Sequence, residues 1–151
     1  MKAKILFTTL LSVGLLFTAC DNDDDAPAKP VVEIHELGDG HHHDEIQVKT
    51  HDDDHNTAVI GEDLHIDAEI TAEGKIAKII VELHSETTDD ELEVEFEGKY
   101  VGTKNAEFHE HVEIPGDFSA GEYHFHLEVI DMEGQTGSDE AHIDLLEQPT
   151  K

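Results

Sequence analysis

Thirteen histidines stand in this 151-residue chain beside 37 acidic residues, nine lysines and no arginine. Neutral imidazole and carboxylate are the donors that divalent transition metals take, zinc in a roughly tetrahedral set and copper(II) or nickel(II) in a flatter one. Two arrangements of them could do this chemistry. The first is a polar stretch in which His41, His42, His43, Asp44 and Glu45 are followed by His51, Asp52, Asp53, Asp54 and His55. Short histidine-rich tracts of this kind suit metal capture. The second is a pair of His-x-His motifs, His109 with His111 and His124 with His126. On a strand, residues two apart share one face, so each motif offers two imidazoles to one side of a sheet.

A competing account needs no metal. Alternating strands require something polar outside, and cross-strand His–carboxylate pairs contribute about 0.2–1 kcal/mol each. A high-affinity metal site requires three or four converging ligands, more than one motif supplies. Asp52, Asp54, Asn56 and Asp63 also match ligand positions of a calcium-binding EF-hand loop, but Thr57 stands where that loop needs glycine and no helical pattern flanks it.

The elements that must position these groups read as strands. Val31 to Leu37 alternates well enough for a first strand, and residues 38–56 form a long His/Asp-rich loop. From Ala58 onward the period is two. Leu64, Ile66, Ala68 and Ile70 oppose His65, Asp67 and Glu69; Ile79, Val81 and Leu83 oppose Lys78, Glu82 and His84. Leu92, Val94 and Phe96 form a short strand. Phe108, Val112 and Ile114 then oppose His109, His111 and Glu113, and Tyr123, Phe125, Leu127 and Val129 oppose His124, His126 and Glu128. A last strand runs through Ala141, Ile143 and Leu145, with Gly74, Pro115-Gly116 and Asp131 to Gly137 marking turns. Glu110 on the apolar parity and Ile80 on the polar one predict a bulge or open edge near each.

About seven short strands with turn punctuation and no helical period predict an all-β, immunoglobulin-like antiparallel β-sandwich over residues 31–146, followed by a short tail at 147–151. In the usual arrangement of that fold, His109 and His111 share a sheet with His65 and Asp67. His124 and His126 lie between strands bearing Glu82 with His84 and His142 with Asp144. Each sheet then shows an outward histidine–carboxylate ladder, which adds His65, His84 and His142 to the metal-ligand candidates.

The amino terminus addresses a different question. Lys2 and Lys4 precede an apolar run from Ile5 to Phe17, with small residues Thr18 and Ala19 before Cys20. This is the pattern of a secretory signal over residues 1–19, too short to span a bilayer, which takes roughly twenty apolar residues. Leu16-Phe17-Thr18-Ala19-Cys20 resembles the lipobox of bacterial lipoproteins, which implies lipidation of Cys20 and a membrane anchor. Asp21-Asn22-Asp23-Asp24-Asp25 resembles the acidic stretch of surface-exposed Bacteroidetes lipoproteins, which implies display at the outer membrane. Residues 20–30 cannot bury enough apolar area to offset chain entropy and read as a disordered tether.

Once the signal is removed, seven lysines face 37 acidic residues, a net charge of −30 with histidines neutral. Such a surface repels nucleic acid and anionic lipid. Cations, a cationic protein or an outer-membrane transporter are the fitting partners, and no organic cofactor is expected. No nucleophile elbow or phosphate-cradling glycine loop occurs. A His-x-His metal with Glu110 or Glu113 as base could activate water, yet a non-enzymatic role is the better reading.

Three segments, Gly61 to Ile70, Phe108 to Pro115 and Ala120 to His126, together resemble the DUF4625 family of uncharacterised Bacteroidetes lipoproteins. The resemblance covers roughly residues 31 to 146 and implies an immunoglobulin-like fold in a lipoprotein, with no established activity. Two functions follow as expectations: a lipoprotein that binds zinc, or copper or nickel, for scavenging or delivery, and a metal-free adhesion module with a pH-responsive histidine surface.

Overall fold

The structure, a computed structural model, describes residues 28–39 and 56–149. The expected signal segment, Cys20, residues 20–27 of the expected tether and His41, His42, His43, His51 and His55 lie outside the described residues. Among the described residues all regular structure is β, save one short 3-10 turn. The strands are β1 (Val31–Gly38), β2 (Asn56–Val59), β3 (Asp63–Thr71), β4 (Ile76–Ser85), β5 (Glu91–Phe96), β6 (Asn105–Glu113), β7 (Gly121–Asp131) and β8 (Thr136–Leu146).

They form two sheets, one ordered β1-β3-β6 and the other β2-β8-β7-β4-β5. The core between them follows from the period-two pattern. Leu64, Ile66, Ala68 and Ile70 of β3 and Phe108 and Val112 of β6 are buried on one side. Ile79, Val81 and Leu83 of β4, Tyr123, Phe125, Leu127 and Val129 of β7, and Ile143 and Leu145 of β8 are buried on the other. Alternate residues on these same strands must then point outward, and that is where most strand histidines sit.

The observed sandwich differs from the expected one in two respects. Among the described residues it has eight strands, and one pairing is parallel: Asn56 to Val59 runs alongside Ile143 to Leu146. Strand β2 is short and half polar, so it lacks a legible alternation; its pairing depends on where the chain returns beside β8. Asp39 N–H donates to the Thr57 carbonyl at 2.9 Å, joining the end of β1 to β2. Extension of Asn56 and Thr57 along β8, with Asp63 opening β3, also rules out the EF-hand register.

Glu110 and Ile80 meet two different fates. Strand β6 keeps an unbroken register through Glu110, and no bulge forms there. Instead the carboxylate accepts the Tyr100 hydroxyl at 2.5 Å and pairs with Lys99 at 2.6 Å. These donors come from the 3-10 turn Gly98–Tyr100, which leads into β6, an edge strand. Burial opposes the charge on Glu110, but the hydrogen bonds from Lys99 and Tyr100 outweigh it and hold the carboxyl below its ordinary value. Strand β4 does carry an irregularity, between Ile76 and Lys78, just before Ile80. A second one falls between Ile34 and Glu36, at His35.

Candidate metal centre

Strand pairing decides which outward histidines can meet. Strands β3 and β6 pair antiparallel from Asp63 with Glu113 to Thr71 with Asn105, which sets His65 opposite His111 and Asp67 opposite His109. The ring centroids of His65 lie 4.7 Å from His109 and 5.0 Å from His111, and those of His109 and His111 lie 6.1 Å apart. One ligand atom from each of the three falls within 4.8 Å of the others. Tetrahedral zinc ligands at about 2.0–2.1 Å from the ion stand roughly 3.4 Å apart, so small rotamer adjustments close this set.

The surroundings of His109 and His65 favour the ligating form. His109 Nδ1 lies 3.0 Å from Asp67 Oδ2. A carboxylate only accepts, so Nδ1 bears the proton and Nε2 is left for a metal, the carboxylate–histidine arrangement that orients metal ligands. His65 is only 5% exposed although it points away from the core, because β3 is the central strand of its sheet. Burial first, then the neighbouring His109 and His111, push its pKa below the ordinary value and keep the ring neutral. Beside His109 a groove of about 830 Å³ opens, lined also by His35, Asp67, Glu69, Asn105 and Glu107 among others.

The opposite face of the sandwich repeats the theme on three strands. Strand β7 lies between β4 and β8, so His84 faces His124, which in turn faces His142. Next along, Glu82 faces His126, which faces Glu140. His124 lies 4.4 Å from His142 and 5.2 Å from His84 between ring centroids, and His84 stacks on His126 at 5.3 Å. Glu86 reaches back from the turn after β4 to hydrogen-bond His124 Nε2. Glu86, His124 and His142 bring three ligand atoms within 4.8 Å of one another. His142 Nδ1 contacts Glu122 Oε1 at 3.0 Å, which leaves its Nε2 to bind.

Of the expected ligands, His65, His109 and His111 converge on one face and His124 and His142 on the other. His84 and His126 flank the second cluster without joining its three-ligand set. The expected ladders therefore form, but each closes on three groups. Sequence reasoning missed Glu86, His35 and the orienting Glu122. Glu86 had a signal: it continues the outward parity of Glu82 and His84 one step beyond the strand.

A two-sheet β-sandwich with imidazole clusters on both outer faces defines the class of protein. The chain belongs to the DUF4625 family, whose model, described as a domain of unknown function, matches residues 18–146. No curated protein and no solved structure matches it.

Proposed function

We propose that this chain is a cell-envelope lipoprotein, anchored through lipid on Cys20, whose sandwich binds divalent transition metal, zinc foremost, to scavenge or deliver it. The observation that carries the reading is the convergence of three donor atoms within 4.8 Å on each outer face, where alternation alone requires only polarity. Asp67 and Glu122 add orienting carboxylates behind His109 and His142. The sandwich is of immunoglobulin type in this reading. Its support is the division of strands into β1-β3-β6 and β2-β8-β7-β4-β5, together with Tyr123 near the start of β7, whose hydroxyl lies 2.9 Å from the Ser119 carbonyl. The lipobox-like residues ending in Cys20 and the acidic stretch behind them support anchoring at the outer membrane, facing outward, as in Bacteroidetes lipoproteins. The role is binding, with an outer-membrane transporter as the fitting recipient.

Calorimetric titration of the purified, metal-free chain with zinc at pH 7.5 tests this. Saturable sub-micromolar binding is expected, weakened by His109→Ala with His111→Ala and again by His124→Ala with His142→Ala. Heats no larger than dilution would refute it and favour a metal-free adhesion module.

A further inference from the structure

We propose that the two outward clusters divide the ions between them: His65, His109 and His111 take copper(II) in preference, while Glu86, His124 and His142 retain zinc. The proposal deepens the metal-binding reading above and rests on it.

The donor sets differ first. The β3–β6 cluster offers three imidazoles, whereas the β4–β7–β8 cluster offers two imidazoles and a carboxylate. At sites of this kind copper(II) binds more tightly than zinc, and imidazole suits it, whereas carboxylate also serves harder ions. The first equivalent of copper therefore goes to the all-nitrogen set.

Geometry points the same way. Copper(II) favours a flatter, tetragonal arrangement with room for further donors, while zinc has no geometric preference from its d electrons. His65, Asp67, His109 and His111 occupy a two-by-two block of adjacent sheet positions, so the three rings stand on one surface. The groove of about 830 Å³ beside His109 leaves space for water on the open side, and His35 lines it from the β1 irregularity.

Rigidity separates the clusters further. His65 is buried and His109 is oriented through Nδ1 by Asp67, so the β3–β6 rings need only small adjustments to close on an ion. Glu86 is exposed and lies just past the end of β4, so strand pairing does not fix the third donor of the other set.

The test loads the purified full chain with two equivalents of zinc, adds one equivalent of copper(II), removes free metal, and records electron paramagnetic resonance together with metal content. The expected result is one copper with hyperfine splitting from three nitrogens and one zinc retained. His65→Gln should lose the three-nitrogen pattern and keep zinc. His109→Gln, at an exposed position, should do the same, which covers the case in which His65→Gln does not fold. His142→Gln should leave the copper pattern intact and lose zinc. A copper signal that changes with His142→Gln and not with His109→Gln would overturn the assignment, as would one unmoved by either or displacement of all zinc by the single equivalent of copper. A chain that holds neither ion after free metal is removed would refute the metal reading itself, a separate failure visible before any variant is made.

Discussion

His65 stands opposite His111 across β3 and β6 with ring centroids 5.0 Å apart, yet His65 is buried and His111 is exposed. The same chemical group thus serves two purposes. Replacing His65 by alanine removes a ligand and also leaves a void on the central strand, so it should lower stability by about 1–3 kcal/mol as well as weaken zinc binding. His111→Ala should weaken binding with stability changed by less than about 0.5 kcal/mol. Urea unfolding beside zinc titration of both variants separates the effects.

The Glu110 site makes a second prediction. Tyr100→Phe removes the hydroxyl that donates to Glu110 at 2.5 Å and leaves a half-buried carboxylate with Lys99 alone. A hydrogen bond to a charged acceptor contributes about 1.5–3 kcal/mol, so the variant should unfold at clearly lower urea concentration. Zinc affinity should be unchanged, because Glu110 points to the core side of β6 and His109 and His111 to the other.

Much of the fold was legible because most strand positions alternate: the core residues of β3, β4 and β7 and the outward histidines are both consequences of a period of two. The pairing of His65 with His111 and of His84 with His124 and His142 needed the sheet order as well, which only the analogy with a known sandwich supplied. Strand β2 was hidden because Asn56 to Val59 is too short and too polar to show a period, and its parallel partner is β8, distant in sequence. Burial of His65 was hidden because parity tells which face a residue takes and not whether its strand is central. Tyr100 escaped notice as the partner of Glu110 because a 3-10 turn, with no strand pattern, delivers it.

Acid should act through Asp90. This carboxyl accepts hydrogen bonds from the Thr88 hydroxyl at 2.7 Å, from Ser119 N–H at 2.9 Å and from the Tyr123 hydroxyl at 2.9 Å. Those bonds hold its pKa at about 2. A carboxyl whose folded pKa lies below its unfolded value stabilises the fold above the unfolded value and loses that contribution as pH falls towards the folded one. Stability should therefore decline between about pH 4 and pH 2 through this group. Asp90→Asn should lower the thermal midpoint at pH 7 and flatten that part of the profile, measured by thermal unfolding across the range.

The turn between β3 and β4 allows a further test. A Cβ at Gly74 would meet Asp131 Oδ2 at 2.3 Å, and Asp131 is 2% exposed with its other oxygen holding the N–H groups of Glu133 and Gln135. The carboxylate cannot move aside without breaking those bonds. Gly74→Ala should cost about 1–3 kcal/mol in urea unfolding, with zinc affinity retained.

The most direct test of metal binding at the strand faces is anomalous diffraction at the zinc edge from crystals of the full chain in which His41, His42, His43, His51 and His55 are all alanine. The account predicts peaks within bonding distance of His65, His109 and His111 on one face and of Glu86, His124 and His142 on the other. Crystals grown with zinc that show no peak at either cluster would contradict it.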